Sequence, residues 1–279
     1  MSDDPFRLKM QKARVMLSEH LGLPMLAEDL QLRETVPLLD QTVFDFCRAA
    51  GIERPTPVNV TPADGAEPGW CIRNVRRAIE QRGGTVVHGW LTWGAPGLFY
   101  EAEFHAVLRD LEGHLVDVTP TQDGETLVLF SPDASYPESF DFMQRPANKR
   151  IKIYRRPDLD ARIAERLASM SEASLRYEGE RARRKGMQLR DWVASRIDPD
   201  AFDVAIDRFI SLADKLDTMI EPVTDGVALR KGVRSADFDR IKEELLAAKL
   251  KVWMMAEGAV MQRIAATSGA PSHGSMKTA

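Results

Sequence analysis

A run of strict two-residue alternation at residues 98–109 limits how this chain can fold more than any other feature. Apolar side chains occupy every second position of the run: Leu98, Tyr100, Ala102, Phe104, Ala106 and Leu108. Successive side chains of a strand point to opposite faces, so the alternation predicts one long strand with an apolar face. Turn sequences at residues 94–97 and 110–113 bound the run, which predicts antiparallel partners on both sides.

A helix and further short strands surround this long strand. Residues 85–93 are rich in β-branched and aromatic side chains, and shorter runs of the same kind follow at residues 115–119 and 125–130. Ahead of them, apolar residues recur at helical spacing over residues 72–79. Residues 51–133 are therefore predicted to form an α+β unit, in which a helix is followed by an antiparallel sheet.

Helical patterns lie on both sides of this unit. Residues 5–50 show helical spacing that is interrupted at Pro37. From residue 159 the pattern is again helical to about residue 265, with breaks near Pro199 and at residues 221–232, which predicts two or three long amphipathic helices. We therefore expect an N-terminal helical layer, an α+β core, a C-terminal helical domain and a disordered tail, at residues 1–50, 51–145, 146–266 and 267–279.

Composition excludes several classes of protein. No apolar run approaches the roughly 18 residues of a membrane span, and the first residues lack the basic start and apolar stretch of a signal peptide. Two cysteines are too few for a disulfide framework or a zinc site built from cysteines. The sequence therefore predicts a cytoplasmic protein that does not bind a membrane.

Positive charge is concentrated in the middle of the chain. Residues 145–190 carry a net charge of +8, whereas residues 1–144 carry −10 and residues 191–279 carry −2. A basic segment of this kind is compatible with an anionic partner, and residues 181–185 are its densest part. Aromatic residues are sparse there and no DNA-binding signature is present. We therefore expect a solvated helix face and do not expect nucleic acid as a partner.

Three residues of the α+β unit combine into a candidate catalytic site. Cys71 lies near the start of the predicted helix, His105 in the long strand and Asp117 in the next strand. A helix N-terminus stabilises a thiolate, because its free N–H groups and the helix dipole place positive charge there. An imidazole can take the thiol proton, and a carboxylate can hold the other ring nitrogen. This pattern predicts a nucleophile, a base and an orienting acid.

The turn between the two strands decides whether His105 and Asp117 share a face. A three-residue loop at residues 111–113, with Gly113 in the left-handed region, pairs Val107 with Asp117 and leaves His105 within diagonal reach. A five-residue loop would place His105 directly opposite Asp117. A loop of two or four residues would send the two side chains to opposite faces.

Neighbouring residues are candidates for a substrate cleft or an oxyanion hole: Trp70, Asn74, His88, Trp90 and Glu103. Trp70 directly precedes the cysteine, and its indole N–H or the nearby backbone amides could bind an oxyanion. Asn74 lies one turn along the helix and either lines the cleft or is an ordinary exposed residue. His88 and Trp90 alternate onto one strand face, and core packing is the alternative for both.

Acidic residues of the long strand offer two other interpretations. Glu101 and Glu103 share a face with His105, so either could take the place of Asp117 as the orienting acid. Together with His88 they could also ligate a metal ion, but no tight ligand spacing supports such a site. We therefore predict neither a metal nor a cofactor.

The order of these motifs resembles the transglutaminase-like branch of the papain-like cysteine enzymes. That branch has a cysteine that opens a helix, then a His-Ala-x-Val strand, then an Asp-x-Thr strand end. The matching segments here are Cys71-Ile72-Arg73-Asn74-Val75, Gly84, Gly89-Trp90, Glu103-Phe104-His105-Ala106-Val107 and Leu115-Val116-Asp117-Val118-Thr119-Pro120. Gly65 stands where papain-type enzymes have an oxyanion-hole glutamine, and the flanking helical regions match no member of the family.

The resemblance implies a papain-like (transglutaminase-like) core with Cys71 as nucleophile, His105 as base and Asp117 as orienting acid. It implies acyl transfer on a protein or peptide substrate, as a protease, a glutamine deamidase or a transglutaminase, all of which pass through an acyl-enzyme. The alternative function is a catalytically inactive helical scaffold. An apolar stripe with Met254, Met255 and Met261 predicts core packing in the last helix, or else a partner bound through the C-terminal helices.

Overall fold

The computed structural model describes residues 34–35, 39–95, 97–121, 124–220 and 235–268, and the side chains of the last helix as far as residue 256. Within these ranges the strands are β1 (Glu34–Thr35), β2 (Thr56–Val60), β3 (Thr85–Ala95), β4 (Phe99–Arg109), β5 (Leu115–Asp117), β6 (Leu127–Pro132) and β7 (Lys149–Lys152). The α-helices are α1 (Gln41–Ala50), α2 (Cys71–Arg82), α3 (Leu159–Ala168), α4 (Glu172–Arg184), α5 (Leu189–Ala194), α6 (Ala201–Thr218) and α7 (Ala236–Ser268).

Five of the strands close into a barrel-like sheet. The strand order is β1-β3-β6-β2-β5-β4-β7, and a further ladder joins β3 to β4. The ring therefore runs through β3, β6, β2, β5 and β4, while β1 pairs with β3 and β7 pairs with β4 outside it. The predicted α+β class is confirmed. The sheet is mixed rather than purely antiparallel, because β2 and β5 are parallel, and the proline-rich sequence around β2 gives no signal for this pairing.

The long strand β4 is covered on both faces. Its even-numbered residues, such as Phe104 and Leu108, pack against helices α1 and α2 in one apolar cluster. Val107 faces the barrel interior with a second cluster, formed by Val58, Leu91, Val128 and Phe130. Each large apolar side chain buried in this way contributes roughly 1.5–3 kcal/mol to folding. The helices and the barrel interior thus hold β4 rigidly between them.

The described parts of the C-terminal region, residues 159–220 and 235–268, contain five helices rather than the two or three predicted. Helices α6 and α7 pack on the sheet at Phe99 through Ile206, Phe209 and Val252. The predicted break near Pro199 is confirmed, because α5 ends at Ala194 and α6 begins at Ala201. The predicted break at residues 221–232 lies outside the described residues.

A strand lies inside the segment predicted to be helical. β7 pairs with β4 at Phe99–Ala102, so the sheet extends beyond the predicted core boundary at residue 145. Its side chains Arg150 and Lys152 form ion pairs with aspartates of α6: Asp203, Asp207, Asp214 and Asp217. These pairs, together with the apolar contacts, hold α6 against the sheet.

The N-terminal region is only partly described. Helix α1 confirms the helical prediction for residues 41–50. Residues 34–35, which were also predicted to be helical, instead form the strand β1 opposite Trp93 and Gly94. Residues 1–33 and 36–38 of the predicted helical layer lie outside the described residues, as do residues 269–279 of the predicted tail. Over the described part of the chain, no helix combines the length and the apolar character needed to cross a membrane.

Candidate active site

The β4–β5 hairpin has the three-residue loop that places His105 and Asp117 on one face. Arg109 pairs with Leu115, Gly113 has a φ of 91°, and the Asp110 N–H donates to the carbonyl of His114. Continuing this register places Asp117 opposite Val107, so His105 lies diagonally across from it. The geometric condition derived from the sequence is therefore met.

His105 and Asp117 are in direct contact. Nε2 of His105 lies 3.1 Å from Oδ2 of Asp117, which makes Nε2 the donor, since a carboxylate accepts. The other oxygen of Asp117 accepts the N–H of Thr119 at 2.9 Å. Both carboxylate oxygens are thus held, and the imidazole is oriented by a fixed acceptor.

Cys71 approaches the same imidazole from helix α2. It is the first residue of that helix, and the N-cap Trp70 makes no side-chain hydrogen bond to the helix amides. The thiol of Cys71 lies close enough to His105 to be among the groups that raise the pKa of its imidazole. Because Nε2 faces Asp117, Nδ1 is the ring nitrogen that remains for the sulfur. The structure therefore brings Cys71, His105 and Asp117 together in the predicted order.

The electrostatics of the site favour a charged imidazole. Burial lowers the pKa of His105, but the negative charges of Asp117 and Cys71 and their hydrogen bonds outweigh it and raise the pKa well above the usual 6.5. Cys47 is a useful contrast. Burial raises the pKa of the Cys47 thiol to about 11, so this second cysteine is expected to be a poor nucleophile.

The three residues are almost completely covered. Cys71 is 3% exposed, His105 7% and Asp117 1%. Such burial strengthens the interactions among them by excluding water. It also means that only a small area of the sulfur and the ring meets the solvent.

Trp70 and Asn74 flank the cysteine, but they occupy different environments. Trp70 is half-buried, and the guanidinium of Arg73 lies 5.2 Å from the centre of its ring. Asn74 is buried, and its side-chain amide is bound to Glu67 and Thr119. Asn74 is therefore neither exposed nor a cleft wall. The oxyanion role of Trp70 stays a prediction.

His88 and Trp90 do not share the face of His105. The register pairs Gly89 with His105, so the residues on either side of Gly89 point to the opposite face of the sheet. Both side chains are 1% exposed. The interpretation of His88 and Trp90 as borders of a substrate cleft is therefore wrong.

His88 is instead a core histidine within an aromatic cluster. Its ring lies 5.6 Å from that of Phe140 and 6.0 Å from that of Phe142. Nδ1 is 3.1 Å from the carbonyl oxygen of Pro137, so it is the protonated nitrogen. Burial lowers the pKa of His88, which keeps the ring neutral.

Trp90 anchors the segment that follows β6. Its indole N–H donates to Oδ2 of Asp133 at 2.9 Å. The ammonium group of Lys149 lies 4.3 Å from the centre of its ring and donates to the carbonyl of Ala50. Trp90 thus ties three parts of the chain together.

The two glutamates of β4 have partners other than His105. Glu103 accepts the indole N–H of Trp93 at 2.9 Å, and Glu101 binds Arg150 and Asn148. Neither glutamate replaces Asp117, and the cleft role of the half-buried Glu103 stays a prediction.

The residues considered as metal ligands in the sheet, His88, His105, Glu101 and Glu103, are not among the groups close enough together to hold an ion in the described part of the chain. Among the described residues, the group that could hold a metal ion consists of Asp110, Glu112 and His114 at the hairpin turn. Asp110 already accepts the N–H groups of Glu112 and His114, so this cluster is explained by the turn itself.

Thr119 is a residue of the site whose contacts the sequence does not reveal. Thr119 contacts both Asp117 and Asn74, and its place after the strand end was visible in the Asp-x-Thr motif, although its contacts were not. No family model, no curated protein and no solved structure matches this chain.

Proposed function

We propose that the protein is a cysteine-dependent acyl-transfer or amide-hydrolysing enzyme that acts on a protein or peptide substrate. The observation that carries this proposal is a buried imidazole that a carboxylate holds at 3.1 Å on one nitrogen, with a thiol at a helix start near enough to raise the pKa of the ring. A nucleophile, a base and an orienting acid in this arrangement perform acyl transfer in unrelated folds.

The chemistry assigns one role to each residue. The Cys71 thiolate attacks the carbonyl carbon of the substrate, and the N–H groups of the first turn of α2 bind the developing oxyanion. The His105 imidazolium gives its proton to the leaving amine, which departs and leaves a thioester on Cys71. Water or an amine then attacks the thioester while His105 takes up the proton of the attacking group, and the C–S bond breaks, which releases the acyl product and restores the Cys71 thiolate. Asp117 keeps the ring in the required orientation throughout.

We also propose that residues 51–145 form a core of the papain-like, transglutaminase-like kind. Supporting observations are the helix that opens at Cys71 and the closed five-strand sheet that carries His105 and Asp117. The departures are Gly65 in place of the glutamine and the flanking helices. Because a thiol nucleophile has to stay reduced, and both cysteines are free, we assign the activity to the cytoplasm.

One observation favours the alternative of a catalytically inactive scaffold. Cys71 exposes only 3% of its surface, which fits a structural thiol as well as a sheltered nucleophile. In the scaffold the imidazole and the thiol would contribute packing and hydrogen bonds, and partners would bind elsewhere.

Alkylation by iodoacetamide at pH 6 separates the two functions. Rates are followed for each cysteine by mass spectrometry of the digested protein. An activated Cys71 is expected to react at least about tenfold faster than Cys47, because only the thiolate attacks and Cys47 is kept protonated by its raised pKa. Replacing His105→Ala is expected to remove this advantage.

Two controls make the result specific. In urea both cysteines should react at equal rates, which shows that the difference belongs to the folded state. The variant Cys47→Ser should leave the Cys71 rate unchanged. As a second measurement, p-nitrophenyl acetate should give a burst of p-nitrophenolate and a thioester on Cys71. Equal, slow labelling of both cysteines in the folded protein, with no burst, would overturn the enzyme in favour of the scaffold.

A further inference from the structure

The buried amide of Asn74 makes three hydrogen bonds one turn after the cysteine. Its Nδ2 donates to the carbonyl of Glu67 at 2.8 Å and to Oγ1 of Thr119 at 3.3 Å. Its Oδ1 accepts the N–H of Glu67 at 3.1 Å. The residue is 2% exposed, so these bonds form away from water and replace any it could make with solvent.

Thr119 connects this amide to the reactive group. Its hydroxyl accepts from Asn74, while its backbone N–H donates to Oδ1 of Asp117 at 2.9 Å. Asp117 binds His105 at 3.1 Å, and Cys71 lies near enough to that imidazole to raise its pKa. Since Cys71 and Asn74 belong to the same helix, α2 meets this group of residues at two points, Asn74 and Cys71.

The position of Asn74 on the helix couples its hydrogen bonds to the placement of Cys71. Residues three apart on an α-helix lie on the same face, so a bond at Asn74 fixes both the rotation and the depth of α2 at Cys71. Trp70 does not fix the helix in this way, because its side chain makes no capping hydrogen bond. The two bonds to Glu67 hold the segment before the helix instead.

This arrangement also leaves the first helix amides without a side-chain acceptor. A Ser, Thr or Asp at the N-cap would bind the N–H groups of the second or third helical residue. Here Asn74, inside the helix, holds the segment that precedes it through Glu67, and the N-cap Trp70 makes no side-chain bond to the helix amides. The amides beside the sulfur therefore stay available to a developing oxyanion.

We propose that Asn74 and Thr119 are positioning residues that together set the spacing between the Cys71 sulfur and the His105 imidazole. This inference rests on the proposed function. Neither residue touches the substrate, and both act through Cys71 and Asp117.

The substitution Thr119→Val tests the proposal with little change in shape. It removes the hydroxyl that accepts from Asn74 but keeps the backbone N–H that holds Asp117. We expect about tenfold slower alkylation of Cys71 by iodoacetamide at pH 6, because small misplacements of reacting groups are costly. The pH profile of this alkylation should also differ from that of the wild type. Thr119→Ser keeps the hydroxyl and should stay within about twofold of the wild-type rate.

The substitution Asn74→Ala removes the other half of the contact and should give the same slow rate and the same shifted pH profile. Val252→Ala serves as the control for lost stability, because Val252 is fully buried between α7 and the sheet, in a cluster that holds none of the reactive residues. It should lower the melting temperature but leave the pH profile unchanged.

Each outcome has one meaning. A wild-type pH profile in Thr119→Val and Asn74→Ala overturns the positioning role while the proposed enzyme stands. An equal shift in Val252→Ala also overturns it, because the effect would then follow stability. If wild-type Cys71 reacts no faster than Cys47, the proposed function itself fails.

Discussion

His105 and Asp117 meet diagonally across the β4–β5 hairpin, with Nε2 of the imidazole 3.1 Å from Oδ2 of the carboxylate. The three-residue turn fixes this relationship, since one residue more or less would turn the two side chains to opposite faces. The contact therefore depends on the backbone of the hairpin as well as on the two side chains.

The charge of Asp117 should control the pH range in which His105 stays protonated. The pKa of His105 is raised well above 6.5 because Asp117 and Cys71 outweigh burial, so the imidazolium, and the stability it adds, persist below 6.5 and are lost as pH rises through the raised value. In Asp117→Asn we expect the His105 pKa to fall, because the ring loses the nearby negative charge and the acceptor that stabilise its charged form. Titration of His105 by NMR measures this.

The half-buried carboxyl of Asp110, in the hairpin turn, is the matched control for that titration. Asp110→Asn removes a charge that pairs with His114 and should leave the His105 titration unchanged. Equal shifts in the two variants would mean that net charge, and not the contact with Asp117, sets the pKa of His105.

The shelter around Cys71 should make its labelling depend on reagent size. Because this residue is only 3% exposed, iodoacetamide should reach the sulfur far more readily than a fluorescein-linked maleimide. The measurement is the ratio of the two rates in folded protein and in urea. An unchanged ratio would show that the sulfur is open to large molecules.

Removing the indole N–H of Trp90 should cost stability without affecting Cys71. Trp90→Phe loses the bond to the Asp133 carboxylate, and a hydrogen bond to a charged group contributes roughly 1.5–3 kcal/mol. Urea denaturation should show a decrease of about 2 kcal/mol in the free energy of unfolding. The alkylation rate of Cys71 should be that of wild type, and a large fall in it would place Trp90 at the reactive site after all.

Two glycine substitutions should have opposite effects. A Cβ at Gly89 would lie 2.1 Å from the carbonyl oxygen of Ser131, so Gly89→Ala should destabilise the barrel by about 1–3 kcal/mol. At Gly179, in helix α4, a Cβ meets nothing within 4 Å, and Gly179→Ala should add about 0.5–1 kcal/mol of stability. Thermal melting of both variants checks the pair, and two changes of the same sign would contradict it.

The buried ion pair of Arg150 and Glu101 should be far more sensitive than an exposed one. Both side chains are less than a tenth exposed and lie 3.1 Å apart. Arg150→Ala leaves Glu101 buried without its charge partner, which costs roughly 3–5 kcal/mol. Arg48→Ala, which breaks the exposed pair with Asp45, should cost less than about 1 kcal/mol. Similar losses in urea denaturation would contradict this account.

The sequence predicts the local geometry of the site well. Alternation in residues 98–109 and the turn at residues 111–113 are local signals, and they suffice to bring His105 beside Asp117. The helical spacing after Cys71 is local too, and the helix begins at Cys71. What these patterns share is a dependence on neighbours only a few residues away.

The errors concern features that depend on distant parts of the chain. β7 has the basic sequence Lys-Arg-Ile-Lys. It forms a strand because its backbone pairs with β4 and its basic side chains form ion pairs with aspartates of α6. The choice between cleft and core for His88 and Trp90 depends on the β3–β4 register, which the sequence does not reveal. Asn74 and Thr119 are 45 residues apart, and no periodic pattern indicates their contact.

The closed ring of strands has a consequence for inactivation by heat. β4 and β5 belong to a ring without a free edge, so His105 and Asp117 cannot separate by local fraying. We therefore expect the His105–Asp117 contact and the barrel to be lost in a single cooperative event on heating, and the contact to return as soon as the ring closes again.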